Sequence, residues 1–378
     1  MKVFTIESIK GEKTFGYIDM FDYPHGTIEK LPICIVEGLE EGPILLLTGN
    51  IHGNELHGLV TLQEMIQEID PLKIKGTIII IPSLNPVGLL VLSRSPFYIR
   101  SDPNRLWPDF LPEKIPKLKY EDPYYENMNI EKYPNVQEVF YTKFSQILFD
   151  IDYFIDLHCY SSRSFPFSYL DRVYYDDKKE GEKEKAKELF NKTRELVNAF
   201  GLTVVLEGAP TYYFGNKLQR STTGSFVNKF RKPGFTVELG ASGYVDTNTI
   251  EIAKKGLWNV FKFVGILTGE IEKIETIPVF TEILWREIRI RSSRSGFFIP
   301  LVKSGELVEK DSPIFEIRDI FGNVKEIITA VEKGTILGMW DDIRCYPNSE
   351  LASFLIENKI DVVLPWEYEI KEEKEKSD

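Results

Sequence analysis

The sequence predicts an α/β protein, a sheet flanked by helices, followed by a smaller β-rich C-terminal domain. Two observations carry this. Between Ile33 and Leu267, apolar runs that read as buried strands alternate with segments that repeat apolar residues at helical spacing, a grammar that covers a central sheet with helices. After about Ile274 the chain turns to short β-like runs separated by glycine, such as SGFFIPLV, FGNVKEIITAV and EKGTILGM. The expected division is an α/β domain over 1–273, a β-rich domain over 274–370 and a charged tail over 371–378.

The elements follow in order. LPICIV and PILLLTG read as buried parallel strands, apolar on both faces. A helix spans Leu56 to Ile69, with Leu59, Leu62, Met65, Ile66 and Ile69 on one side and His57, Thr61, Glu64 and Glu68 on the polar side; Asp70-Pro71 ends it. GTIIIIPSLN is the next strand. The stretch Asp109–Pro134, rich in Pro, Tyr and Glu without periodicity, reads as a long excursion or lid. A helix from about Asn135 to Asp150 leads into the strand YFIDLH. A charged helix through KKEGEKEKAKELFNKTRELVNAF, the strand LTVVLE, a short helix near STTGSFVNKF, the strand GFTVEL and an amphipathic segment from Thr247 to Leu267 complete the domain.

Composition narrows the function. A formal charge of -12 argues against a nucleic-acid footprint, which needs clustered Lys and Arg. Cys34, Cys159 and Cys345 are odd in number and far apart, so neither a disulfide framework nor a cysteine zinc site is indicated, and a reducing cytoplasm is expected. No run approaches the roughly 20 apolar residues of a membrane span, and the N-terminus lacks the apolar core of a signal peptide. The sequence leaves homo-oligomerisation open.

Only four histidines exist, His25, His52, His57 and His158, so any histidine site draws on a short list. In GNIHGNELHG, placed at the carboxyl end of a predicted strand where α/β proteins gather ligands, His52 and Glu55 are three apart across a tight turn into a helix. That spacing lets an imidazole and a carboxylate converge on one ion, with Gly53 permitting the sharp backbone. Catalytic zinc usually takes a third protein ligand. His158 qualifies because YFIDLH ends a second strand, with Asp156 and Cys159 as flanking partners. His25 reads as a turn residue and His57 as solvent-facing or supporting; Cys159 reads as a small buried apolar group. Glu238, an acid inside the apolar strand GFTVEL, is the candidate base, since such a group is costly there unless paired or functional. SRSPFYIRSDPNRLWP supplies Arg94, Arg100, Asn104 and Arg105, suited to hold an acidic substrate or an oxyanion; Arg100 is the weakest of these.

Taken together and in order, GNIHGNE, SLNPVG, SRSPFYIRSDPNRLWP, FIDLHCY, STTGSF and FTVELGASG resemble the succinylglutamate desuccinylase and aspartoacylase family, related to zinc carboxypeptidases. The resemblance implies a carboxypeptidase-like mixed sheet and one zinc ion per chain held by His52, Glu55 and His158. It implies Glu238 as the base, Arg94 polarising the scissile carbonyl, and Asn104 with Arg105 gripping a carboxylate of a small acidic N-acyl substrate. Asn54 and Ile99 depart from residues common in the family, aspartate and an acidic residue respectively. The C-terminal domain is expected to lend an aromatic such as Trp340 or Tyr346. Two rivals stand beside the deacylase: a zinc carboxypeptidase acting on peptides, and a silent metal-binding interaction protein.

Overall fold

A computed structural model describes residues 1–110, 135–274, 279–280 and 284–366. The segment 111–134, most of the expected excursion, and the charged tail lie outside the described residues.

The chain builds one mixed sheet of twelve strands among the described residues. At its centre three parallel strands lie side by side: Glu40–Gly49, Tyr153–His158 and Gly234–Glu238. Lys75–Ile81 runs parallel to Glu40–Gly49 on the outer side. Successive residues of the apolar runs face opposite cores, as the two-residue strand period requires. Leu45 and Leu47 join Leu62, Met65, Phe200 and Leu257; Leu46 joins Ile79, Phe140, Phe144 and Phe226. One face is thus covered by the helices His57–Glu68, Glu182–Phe200 and Thr247–Phe263, the other by Val136–Phe144 and Thr222–Asn228.

Local signals explain the boundaries. Asp70 accepts from Leu72 N and Pro71 opens a short 3-10 turn, stopping the first helix as expected. Asn135 and Glu138 form a reciprocal capping box at the start of Val136–Phe144, and a 3-10 turn extends it to Phe149.

Three expectations change. The LPICIV run, within Ile28–Glu37, is antiparallel to Lys75–Ile81 rather than parallel. Two strands absent from the sequence reading, Glu12–Asp22 and Phe167–Leu170, join the sheet, the second running antiparallel to Gly234–Glu238. His57 and Thr61 are buried, not solvent-facing, because the helix 247–263 and the loop before it pack against that side.

The β-rich C-terminal region is present and continues the same sheet. Trp285–Arg291 runs parallel to Thr203–Leu206, and Glu350–Glu357, Gly334–Met339 and Leu307–Val308 follow outward. A separate four-stranded sheet packs beside them, with Phe298, Phe315 and Phe354 among their shared buried residues. The short strand Val363–Pro365 returns to pair with Val173–Tyr175.

Candidate active site

The register of the three central strands brings the candidate residues together. Leu157 lies opposite Gly49 and His158 opposite Glu238, so the carboxyl ends of all three strands open at one place. Gly49 leads directly into the turn carrying His52 and Glu55. Asn50 holds this turn: it adopts a left-handed φ of 55°, and its amide nitrogen donates to the carbonyls of His52, Gly53 and Glu55 at 3.1, 3.1 and 2.9 Å. Its side-chain oxygen accepts from Ser83 Oγ at 2.7 Å, tying the turn to the neighbouring strand end. Gly53 is needed for close approach rather than for φ: a Cβ there would lie 2.0 Å from the backbone carbon of Gly88.

His52, Glu55 and His158 are buried, and one ligand atom from each lies within 4.8 Å of the others. His52 Nδ1 is 2.7 Å from Glu55 Oε1, and His158 Nδ1 is 3.1 Å from Glu55 Oε2. The outer ring nitrogens face carboxylates: His52 Nε2 lies 2.9 Å from Asp102, and His158 Nε2 lies 2.8 Å from Asp156. Asp156 also accepts from Thr48 and Thr222, each at 2.6 Å. Two imidazoles oriented by carboxylates and aimed with a third carboxylate at one point form a donor set that fits a single divalent ion.

Charge inside this cluster is strongly interdependent. Burial disfavours ionised Glu55, but the two histidines outweigh it and hold the carboxyl well below its ordinary range. Burial likewise opposes a charged His158, yet Asp156 and Glu55 raise the imidazole well above its ordinary value. At Glu238 burial wins. With Glu55 adding to it against the opposing pull of His158 and Arg94, the carboxyl is pushed up to about 8. Its Oε2 is buried and has no hydrogen-bond partner among the described residues.

A cavity of about 190 Å³ opens beside this cluster, lined by the three donors and by Arg94, Asn104, Arg105 and Glu238. Arg94 reaches Asp102 at 2.8 Å and Glu55 at 3.3 Å. Asn104 Oδ1 accepts from Thr222 N at 2.8 Å, while its amide nitrogen makes no hydrogen bond among the described residues. From the C-terminal region come Arg289 and Trp340, the arginine lying over the rings of Tyr160 and Trp340. Tyr346 is exposed and does not line the cavity, and neither does Arg100.

Residues 41–264 match the model of the succinylglutamate desuccinylase/aspartoacylase catalytic domain. The chain belongs to this family. N-alpha-acetyl-L-2,4-diaminobutyric acid deacetylase from Halomonas elongata is 21% identical over 292 residues, 77% of this chain and 74% of that protein. Among solved structures, the succinylglutamate desuccinylase/aspartoacylase from Rhodobacter sphaeroides superposes with a TM-score of 0.70 at 20% identity, covering 92% of this chain and 96% of the other. Product-bound EutE from Ruegeria pomeroyi also gives 0.70, at 19% identity over 91% and 95% of the two chains. The desuccinylase/aspartoacylase fold, the mixed sheet with its β-rich C-terminal region, is therefore shared.

Within this family member, sequence reasoning missed Asp102, Asn50 and Arg289. Asp102 sits inside SRSPFYIRSDPNRLWP, where its position just before Pro103 was a signal: its side chain accepts from Asn104 N and starts a short 3-10 turn. His57 supports the site at one remove. It lies 3.0 Å from Asp246 and 3.5 Å from Cys159 Sγ, while the Cys159 amide donates to Glu55 Oε2 at 3.0 Å. No helix among the described residues is long and apolar enough to cross a membrane.

Proposed function

We propose that the protein is a zinc-dependent deacylase that hydrolyses the amide bond of a small N-acylated amino acid, releasing a carboxylic acid and a free amine. The observation that carries the reading is the convergence of His52, Glu55 and His158 beside the unpartnered carboxylate of Glu238. His52, His158 and Glu55 would hold the ion, one per chain, through the two Nδ1 atoms and the carboxylate that converge. Bound there, zinc supplies a Lewis acid that polarises the amide carbonyl and acidifies the attacking water.

The remaining work belongs to the side chains. Glu238 accepts the proton of the attacking water and returns it to the departing amine; its carboxyl, raised by burial in the metal-free cluster, would be drawn down by the charge of a bound dication into the ionised form that a base needs. Arg94, half exposed at the cavity mouth, donates to the carbonyl oxygen as negative charge gathers on it. Arg105 and the free amide nitrogen of Asn104 bind the substrate carboxylate. Asp102 and Asp156 keep the two imidazoles in the orientation the ion requires.

Cavity size favours a small substrate over a peptide. At about 190 Å³ the space is below the roughly 300–1,000 Å³ of most ligand pockets, and Arg289 and Trp340 are among the side chains that wall it. Assay of zinc-loaded enzyme on N-acetyl and N-succinyl amino acids, dipeptides and longer peptides tests this. Release of free amine from the acyl amino acids is expected; turnover confined to peptides would reject the deacylase in favour of a carboxypeptidase.

A further inference from the structure

Charges around the cavity are matched with two conspicuous exceptions besides the proposed base. Arg94 pairs with Asp102 at 2.8 Å and Arg289 with Glu287 at 3.0 Å. Glu287 is further bound by the hydroxyls of Tyr160, Tyr169 and Ser353. Arg105 and Glu207 both line the cavity, yet neither has an opposite charge at ion-pair distance among the described residues. Arg105 donates only to the carbonyl of Asn104, at 2.7 Å, and the Glu207 carboxylate has no hydrogen-bond partner among those residues.

Glu207 comes directly after the strand Thr203–Leu206, placed in the cavity wall by a rigid element. Nearby Asp171 is satisfied by Tyr213 and Thr223 hydroxyls, so Glu207 is the carboxylate left over. Burial, with Asp171 and Glu287 adding repulsion, pushes its carboxyl well above the ordinary range. The Glu207 carboxyl is partly exposed at the cavity wall, so it is open to a ligand, and an arriving cation supplies the opposite charge it lacks. A guanidinium and a carboxylate sharing one small cavity without pairing to each other together complement a ligand that carries both an anion and a cation.

We infer that Glu207 is a specificity-determining residue that binds a protonated amine on the substrate, so that the N-acyl amino acid taken by this enzyme carries a side-chain ammonium group as well as its carboxylate. The carboxylate seats on Arg105 and the ammonium on Glu207. Substrates with a second carboxylate in place of the ammonium are excluded by like charge. This deepens the deacylase reading and rests on it for the scissile bond, but the binding of the amine does not depend on hydrolysis.

The test is therefore a binding measurement on zinc-loaded protein with product-like amino acids that cannot turn over. Calorimetry compares L-2,4-diaminobutyrate, L-ornithine and L-lysine with the uncharged L-norvaline and L-norleucine and with L-glutamate. At least one diamino acid should bind about tenfold or more tightly than its uncharged counterpart, with glutamate weakest, and Glu207→Gln should reduce that preference to within about twofold. Wild-type protein that binds diamino and uncharged amino acids equally would overturn the inference without any variant, as would a preference that survives in Glu207→Gln. If the preference and its loss are seen while no N-acyl amino acid is hydrolysed, the ammonium site stands and the deacylase reading fails.

Discussion

Asp102 offers the sharpest test of how the metal donors are oriented. Its Oδ1 lies 2.9 Å from His52 Nε2 and accepts from Asn104 N at 2.8 Å, and its Oδ2 accepts from Arg94 at 2.8 Å. In Asp102→Asn the amide oxygen can keep the first two contacts, so the ring and the turn stay in place. What is lost is one negative charge, together with the acceptor for Arg94, whose guanidinium turns away from the new amide NH2. The 2.9 Å separation plus the width of an imidazole and a metal bond puts that charge roughly 7 Å from the ion. For a quarter-exposed carboxylate an effective dielectric of about 40 gives about 2 kcal/mol of lost attraction to a dication. That corresponds to roughly thirtyfold weaker binding, inside the ten- to hundredfold range of such supporting carboxylates. Competition against a chelator of known zinc affinity measures it, with circular dichroism checking the fold. Affinity within about threefold of wild type would show that Asp102 does not act on the ion through His52.

Further expectations follow from the same geometry. Glu238→Gln should keep its zinc but lose about 10²–10⁴ in kcat, checked by metal analysis beside turnover; unchanged turnover removes Glu238 from the proton-transfer role. Gly53→Ala forces a Cβ to 2.0 Å from the Gly88 backbone and should destabilise the protein by about 3 kcal/mol or more, read by denaturant unfolding; an unaltered midpoint contradicts the close approach. Because Asp156 and Glu55 keep His158 protonated in the metal-free protein, zinc must displace a proton there. Zinc affinity should therefore rise with pH and flatten above the raised His158 value, and calorimetry at pH 7 in buffers of different ionisation enthalpy should show release of at least one proton, from His158 and, as the dication lowers its raised carboxyl, from Glu238. Release of none would place the donors differently.

Much of the candidate site was legible because its residues mark the ends of strands. His52 and Glu55 announce themselves by a three-residue spacing after an apolar run, His158 and Glu238 by closing two others. The physics that makes them readable is local: a buried strand has a definite end, and a polar group there is costly unless used. What stayed hidden depends on distant contacts. Asn50 is an ordinary loop residue until a left-handed backbone lets its amide reach three carbonyls. His57 and Thr61 lie on the polar side of a helix that looks one-sided, and only the packing of 247–263 with Asp246 buries them. Arg289 reaches the cavity because the C-terminal strands extend the main sheet instead of forming a detached unit. Phe167–Leu170 was missed because FSYL, unlike the equally short TVVL, lies in no continuous apolar run.

Anomalous scattering at the zinc edge from crystals of the metal-loaded protein tests the centre of this account most directly. One peak per chain is expected, with His52 Nδ1, His158 Nδ1 and Glu55 as its protein ligands at about 2.0–2.2 Å and an open coordination position facing Glu238. The account is contradicted by a peak elsewhere, by no peak among these three residues, or by a fourth protein ligand closing the side toward Glu238.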